Sequence, residues 1–329
     1  QQLYQWGRTH YMLKKFGRND IDLKELKRDF ILLAKYLYDN DYGCNASINS
    51  NWYFNRISYP MFMGIALDCM YDELPKEDLI KYANTMLVRA GDNLVGVYCV
   101  PFKYYTNGSS AAATNAYSNY TNLIWQTFTN YVLCAVAEDS VRANHTIKFA
   151  NQAFETVKNG ADVSVGLLKD GVYEDGSFVF HAWYAYNLGY GKSYACCITD
   201  LAEITAGTVF DVKKSYGFEH VYSWIEKSWL PFIQNNWLTH IVQGRETPNN
   251  NGAQAKSIVT AIILLASESG NEKIIRETAQ KIKPIMKGYE TEYRNFTTRL
   301  PNFSCITYPN AQTRVSKFID YMESLPETE

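Results

Sequence analysis

Apolar residues recur every three or four positions along most of this chain, and this helical spacing constrains the fold more than any other feature. A helix that begins near Asp20 or Asp22 has one apolar face, formed by Leu23, Leu26, Phe30, Leu33 and Leu37. The same spacing predicts helices at 60–70, 76–90, 121–138, 140–158, 192–206, 219–234, 252–269, 271–288 and 311–323. Because no convincing run of alternating strand residues accompanies them, the sequence predicts an all-α fold.

Long gaps rich in Asn, Gly and aromatic residues separate several of these helices. They cover 41–59, 96–120, 171–191 and 237–251, and long ordered loops between helices often carry function. No low-complexity linker or strict repeat divides the chain, so we expect one domain over 1–329, with 311–329 as a terminal helix and a tail or linker. Helix pairs stacked into a toroid would bring these loops to one open end.

The composition excludes several classes of protein. A chain of 329 residues with 47% hydrophobic residues can bury a large core and is not disordered. The net charge of -2 argues against a nucleic-acid partner, although a few local cations can still hold an anionic ligand. The 26 Tyr exceed the 16 Phe, and Tyr suits both sugar-binding surfaces and half-buried helices.

The cysteines and the glycosylation motifs bear on the cellular setting. The seven Cys form no CxxC pair, so a zinc ribbon or thioredoxin motif is not expected, and Cys69, Cys134, Cys196 and Cys197 are predicted to be small buried residues. The longest apolar stretch, 258–266, is too short to cross a bilayer. A start without Met predicts a processed or trimmed chain. N-x-S/T motifs favour an extracellular, secreted or virion-envelope location, and they begin at Asn45, Asn107, Asn119, Asn144, Asn295 and Asn302.

The gap at 171–191 concentrates reactive and aromatic residues around glycines. Asp175-Gly176-Ser177-Phe178 precedes His181, and Ala185-Tyr186 precedes Tyr190-Gly191. Glycines on both sides of Tyr190 allow the backbone to turn tightly and to approach a ligand. Because Asp-Gly is a strong turn signal, we expect Glu174 and Asp175 in a turn, with a glycosidase acid/base pair as the alternative.

This loop resembles that of polysaccharide lyase family 8, the hyaluronate and chondroitin lyases, a family that also includes a baculovirus envelope lyase. The family pattern is DG-hydrophobic-x-x-DGSF-x-x-H, followed by A-Y-x-x-x-Y-G. Three further segments match in the expected order. Asn51-Trp52-Tyr53 is similar to the family's aromatic patch, Asn122 to its catalytic Asn, and Gln243-Gly244-Arg245 to its R-G-R segment. The resemblance spans about residues 20–290.

The resemblance implies the fold and the partners. It implies an incomplete α/α toroid (a barrel of helical hairpins) without the family's β-sandwich portion, which another domain or chain would supply to complete the cleft. The sequence departs from the family at Tyr120-Thr121, where Gly-Ala is usual, and at Asn249, where a second Arg is usual.

The resemblance also implies β-elimination of a uronate-containing glycosaminoglycan, chondroitin or hyaluronan. Asn122 would hold the uronate carboxylate and stabilise the developing enolate. His181 and Tyr190 would act as base and acid, in an order that depends on the uronate stereochemistry. Arg245 would lower the pKa of Tyr190 from about 10 and bind substrate anions. The scheme needs no metal and no cofactor.

Further residues are expected to bind substrate, and each has a structural alternative. The expected set is Asn51, Trp52, Tyr53, Arg56, Trp183, Tyr186 and Asn249, with Tyr184 as another cleft tyrosine. Trp52 and Tyr53 can instead be core residues, Asn122 a helix N-cap, and Arg245 an ion-pair partner of Glu246.

The sequence is compatible with three functions. The first is an active glycosaminoglycan lyase. The second is a non-catalytic carbohydrate-binding or viral envelope protein that retains the toroid. The third is a glycoside hydrolase that uses Asp170, Glu174 or Asp175.

Overall fold

The computed structural model describes residues 2–18, 20–42, 53–90, 120–154, 161–162, 167–168, 170–180, 184–244, 251–295 and 311–326. Their contacts form two compact units. Unit 1 comprises Gln1–Ala116 and Trp125–Lys148, and unit 2 comprises Tyr117–Ile124 and Phe149–Glu329. The single domain expected from the sequence stays a prediction.

Unit 1 is built from helices packed around an apolar core. They are α1 (Gln2–Lys15), α2 (Leu23–Leu37), α3 (Tyr59–Cys69), α4 (Lys76–Ala90), most of α5 (Tyr120–Val136) and the larger part of α6 (Ser140–Ala153). Short π-helical turns at Tyr38–Tyr42 and Phe54–Ser58 follow α2 and precede α3. Helix α1 packs against α2 and α3, and Glu73 accepts hydrogen bonds from Lys14 and Lys27, which ties α1 and α2 to the turn after α3.

Unit 2 contains the remaining helices, which are α7 (Tyr190–Thr205), α8 (Glu219–Trp224), α9 (Asn251–Glu268), α10 (Glu272–Met286), α11 (Glu290–Arg294) and α12 (Ala311–Ser324). Helix α9 packs against α7, α10 and α12. Arg314 of α12 pairs with Glu203 of α7 at 2.7 Å and with Glu268 of α9 at 2.5 Å. The terminal helix is therefore an integral part of unit 2.

Very short antiparallel strands join the helices of unit 2. Strands β1 (Ala161–Asp162) and β2 (Leu167–Leu168) pair with each other. Strands β3 (Gly171–Val172), β4 (Phe178–Phe180) and β5 (Tyr184–Ala185) form a three-stranded sheet in that order. Strands β6 (Ile233–Gln234) and β7 (Trp237–Leu238) form a hairpin. Single 3-10 turns lie at Val212–Lys214, Leu230–Phe232 and His240–Val242.

The helical fold class predicted from the sequence is confirmed, and the differences have local causes. Helix α1 was not predicted because its buried face consists of Leu3, Gly7 and His10 rather than an apolar stripe. Of the helix predicted at 219–234, only Glu219–Trp224 is α-helical. A π-helical turn, Ile225–Trp229, and a 3-10 turn follow it. Pro231 has no N–H to donate and cannot continue a regular helix.

The cysteines behave as packing residues. Cys134, Cys196 and Cys197 are buried, as expected from their positions in apolar helix patterns, and Cys69 is half-buried. Burial raises the pKa of Cys69 and of Cys196 to about 12, so neither thiol is a ready nucleophile.

Candidate active site

A tight turn joins β3 to β4 and accounts for the Asp-Gly-Ser motif. The Asp175 carboxylate accepts hydrogen bonds from the Ser177 hydroxyl at 2.7 Å and from the Ser177 N–H at 2.9 Å. The same two hydrogen bonds hold the pKa of Asp175 below its usual value. Gly176 has a φ of +90°, and a Cβ there would lie 2.4 Å from Lys227 Cβ. The motif therefore forms a turn, as the sequence indicated. The structure adds that this turn packs against the π-helical turn after α8.

Tyr190 is the first residue of α7, and its ring is held by two aromatic neighbours. It stacks on Phe180, with ring centroids 3.7 Å apart and planes 15° apart. It also meets Tyr186 edge to face, at a centroid distance of 5.2 Å. Phe180 immediately precedes His181 in the chain, so the end of β4 that leads to His181 lies against the Tyr190 ring.

Tyr186 connects Tyr190 to the segment that leads to Arg245. A Cβ on Gly244 would lie 2.4 Å from Cδ2 of the Tyr186 ring, and the φ of Gly244 is +57°. Only glycine can bring its backbone this close to the ring without strain. The Tyr186 ring is 1% exposed, so it supports Tyr190. Its predicted contact with substrate stays a prediction.

Glycines and buried polar groups fix the backbone around Tyr190. Gly189, with a φ of +54°, precedes α7. Gly191 donates its N–H to the Tyr186 carbonyl at 3.0 Å, and a Cβ on Gly191 would lie 2.9 Å from that oxygen. The buried Asn187 amide donates to the Ser228 carbonyl. Both glycines beside Tyr190 therefore serve the tight turn that the sequence predicted.

Among the predicted substrate-binding residues of unit 1, Tyr53 is the one whose side chain is described. Its half-buried ring meets Phe54 at 5.8 Å and Trp125 at 5.9 Å, both edge to face. These contacts bury one part of the Tyr53 ring and leave another part exposed. A role in the core and a role in substrate binding therefore both stay predictions.

Asn122 is the third residue of α5, which begins at Tyr120. It is therefore not the N-cap residue, and that alternative is wrong. The first turn of a helix has N–H groups without intrahelical acceptors and a partial positive charge, both of which favour a nearby anion.

Several predicted site residues lie outside the described part of the chain. They are Asn51, Trp52, His181, Trp183, Arg245 and Asn249, and the side chains of Arg56 and Asn122 join them. Their roles stay predictions. The structure does bring Phe180 against Tyr190, and Gly244 against Tyr186, whose ring meets Tyr190.

Two structural contributions were missed from the sequence. The sequence gives no role to Phe180, although it is the stacking partner of Tyr190. It includes Gly244 only in the segment that is similar to R-G-R. The short apolar run Phe178–Phe180, with its β-branched and aromatic residues, is a weak strand signal for the first. Apart from the glycine itself, nothing in the sequence predicts the positive φ at residue 244.

Neither a metal cluster nor a membrane-spanning helix is found in the described residues. No three His, Cys, Asp or Glu side chains there are placed to hold a metal ion. None of the helices in the described ranges combines the length and the apolarity needed to cross a membrane.

Comparison with known proteins places this chain in a family. The model of "Polysaccharide lyase family 8, N terminal alpha-helical domain" matches residues 24–284. Xanthan lyase of Bacillus sp. (strain GL1) is 25% identical over 251 residues, which cover 74% of this chain and 23% of that protein. Hyaluronate lyase of Thermasporomyces composti is 30% identical over 122 residues, covering 36% of this chain and 15% of that protein.

A solved structure shows the same fold. Chondroitin AC lyase of Streptomyces coelicolor A3, in complex with chondroitin sulphate, superposes with a TM-score of 0.68 at 18% identity, covering 90% of this chain and 37% of that chain. At this identity the likeness shows the fold, which is the helical toroid that the resemblance implied. The chain spans well under half the length of each of these proteins. Since the family model covers most of the sequence, the chain belongs to polysaccharide lyase family 8, and its matched residues are those of the family's N-terminal α-helical domain.

Proposed function

We propose that this chain is the helical catalytic portion of a lyase that cleaves chondroitin or hyaluronan by β-elimination. Family membership supports lyase chemistry. The relatives above include a hyaluronate lyase and a chondroitin AC lyase bound to chondroitin sulphate, which supports a glycosaminoglycan as substrate. A β-sandwich portion or chain that completes the cleft, and an extracellular or virion-envelope location, stay predictions.

One observation carries the proposal. Phe180, which precedes His181, stacks on Tyr190, and Gly244, which precedes Arg245, packs on the Tyr186 ring beside Tyr190. The segment 180–190 and the sequence-distant Gly244 therefore meet at the pair Tyr186 and Tyr190. This meeting supports a shared role for His181, Tyr190 and Arg245, because an elimination needs a base, an acid and a cation within reach of one sugar.

The chemistry assigns a task to each of these groups. The uronate C5 proton is a poor acid while its carboxylate is ionised, so the Asn122 amide would donate to that carboxylate and stabilise the enolate. Either His181 or Tyr190 removes the proton, and Tyr190 is suited to protonate the leaving C4 oxygen. The Phe180 stack and the edge contact with Tyr186 fix the Tyr190 ring, so little reorganisation accompanies the proton transfer.

The decisive experiment follows the unsaturated product. The full chain is incubated with chondroitin, hyaluronan and xanthan, and ultraviolet absorbance of the new double bond is recorded. Xanthan is included because a xanthan lyase is among the relatives. We expect absorbance with at least one glycosaminoglycan. Reducing ends without absorbance would indicate a hydrolase, and binding without either signal would indicate a non-catalytic carbohydrate-binding protein.

Two variants and one matched control test the site. Tyr190→Phe and His181→Ala should each lower the elimination rate by at least about 100-fold, the usual contribution of a general acid or base. Tyr216→Phe removes the hydroxyl of a tyrosine that is 72% exposed and distant in sequence from the site, and it should leave the rate unchanged. Full activity of both Tyr190→Phe and His181→Ala would overturn the assignment.

A further inference from the structure

Unit 2 exposes three large apolar side chains that the catalytic roles above do not use. Trp237 is 57% exposed, Tyr184 is 47% exposed and Ile241 is 79% exposed. They lie on β7, on β5 and on the 3-10 turn His240–Val242, and β5 contacts that turn. We call these three residues the Trp237 surface. Large exposed apolar side chains on neighbouring elements indicate a binding surface, whereas singly scattered ones do not.

The backbone that carries Trp237 is held rigidly. Strands β6 and β7 pair Gln234 with Trp237, and the two residues between them, Asn235 and Asn236, have φ values of +44° and +65°. Positive φ at both loop positions is typical of the tight hairpin turn that suits twisted strands. The buried Asn236 amide oxygen accepts a hydrogen bond from the Tyr293 hydroxyl at 2.6 Å. An aromatic ring on such a support loses little freedom when a ligand binds.

The Trp237 surface is linked to the Tyr190 site through the backbone. The N–H of Leu188, two residues before Tyr190, donates to the Val242 carbonyl at 3.1 Å. On the other side, a Cβ on Gly252 would lie 3.9 Å from Trp237 Cε2 and 4.0 Å from Nε1. Gly244 therefore lies against Tyr186, which is beside Tyr190, and Gly252 lies against Trp237.

We propose that Trp237 is a stacking subsite for a sugar ring of the polysaccharide, away from the bond that is cleaved. The inference rests on the proposed function and deepens it. An indole offers a flat apolar face with an N–H at its edge, which suits a sugar ring that has an apolar face and polar rim. The Trp237 indole also carries no charge. It would therefore stack on the uncharged face of a sugar ring, while other residues bind the carboxylates of the polymer.

Steady-state kinetics on glycosaminoglycan polymers test the subsite. Trp237→Ala should raise the KM for the polymer about 2- to 10-fold, the effect of losing one aromatic contact, and leave kcat unchanged. Trp237→Phe keeps a flat ring and should recover most of the affinity. The matched control is Tyr216→Ala, which removes another strongly exposed aromatic side chain of unit 2 and should leave both constants unchanged.

A binding measurement separates failure of the subsite from failure of the lyase proposal. Calorimetry on Tyr190→Phe, with and without Trp237→Ala, reports polymer affinity without turnover. Weaker binding of the double variant supports the subsite even where no elimination is detected. If Trp237→Ala leaves both the KM and the polymer affinity of an active enzyme unchanged, the subsite proposal is overturned. It is also overturned if Trp237→Ala abolishes association with a β-sandwich partner but does not weaken sugar binding. Absence of both turnover and binding with every polymer overturns the proposed function together with the subsite. If Trp237→Ala does not fold, Trp237→Leu, which keeps apolar volume without a ring, takes its place under the same outcomes.

Discussion

Replacing Gly244 by alanine perturbs the contact that joins the Arg245 segment to the Tyr190 site. The new Cβ would lie 2.4 Å from Cδ2, 2.6 Å from Cε2 and 2.6 Å from Cγ of the Tyr186 ring. All three distances are far below van der Waals contact, so either the ring or the backbone at residue 244 must move. Because the ring is buried, it has no open space into which it can rotate.

The magnitude follows from two separable costs. A φ of +57° disfavours a residue with a Cβ by about 1–2 kcal/mol. Overpacking a buried ring costs about 1–3 kcal/mol more. The free energy of unfolding should therefore fall by about 2–5 kcal/mol in total. Since Tyr186 meets Tyr190 edge to face, a displaced Tyr186 ring should also lower kcat for the elimination.

Gly270→Ala provides the matched control. Gly270 has a φ of +60°, and nothing lies within 4 Å of its added Cβ. The free energy of unfolding of Gly270→Ala should fall by the backbone cost alone, about 1–2 kcal/mol, and the variant should keep full activity. Urea unfolding of the two variants, followed by circular dichroism, isolates the packing cost as their difference.

Equal losses of stability in the two variants would refute the tight contact between residue 244 and Tyr186. A double-mutant cycle sharpens the test. If the ring is the obstacle, Gly244→Ala combined with Tyr186→Ala loses less stability than the two single variants added together. Strict additivity would show that the two residues do not interact.

Three further predictions concern the helices. Hydrogen bonds from Lys14 and Lys27 hold the pKa of Glu73 at about 2; the ion pairs therefore stabilise unit 1 above the usual Glu pKa of about 4.3 and are lost as the pH falls toward 2. Melting temperatures from pH 7 to pH 2 should fall more steeply for the wild type than for Glu73→Gln, and parallel profiles would contradict this. The Asn271 side chain accepts from the Lys273 N–H at 3.0 Å as the N-cap of α10; Asn271→Ala should cost about 1 kcal/mol in urea unfolding, and Asn271→Asp should not. Arg314→Met leaves Glu203 and Glu268 without this partner, so stability should fall by about 1–3 kcal/mol, a loss that Glu203→Gln in the same chain should partly reverse.

The helices were predictable where an apolar stripe and a capping residue coincide. Asp22 accepts from the Lys24 N–H at 2.9 Å and caps α2 close to the predicted start. Asn271 caps α10 in the same way. Helix α1 shows where the pattern fails, because it buries Gly7 against the Ala66 carbonyl and so presents no apolar side chain there. Burial of a glycine depends on a partner helix that local sequence does not reveal.

The site was predictable in its turns and not in its strands. Asp-Gly-Ser predicted the turn at 175–177, and the glycines around Tyr190 predicted the bend before α7. Strands β3, β4 and β5 contain two or three residues each, too few to show alternation. The pairing of these strands nevertheless fixes the positions of the two residues on either side of 181–183, because Phe180 of β4 lies opposite Tyr184 of β5.

Identical side chains take opposite roles in this site, and the backbone decides between them. Tyr186 is 1% exposed and Tyr184 is 47% exposed, although they are two residues apart. Alternation along a strand puts residues two apart on the same face, and β5 ends at Ala185, so alternation does not explain this difference in exposure. Phe180, Tyr190 and Gly244 all contact the Tyr186 ring, and Gly244 comes so close only because it lacks a Cβ. A side chain at residue 244 would push that backbone away and open the Tyr186 ring to solvent. The exposure of these two tyrosines therefore depends on the position of a glycine as well as on their own positions in the chain.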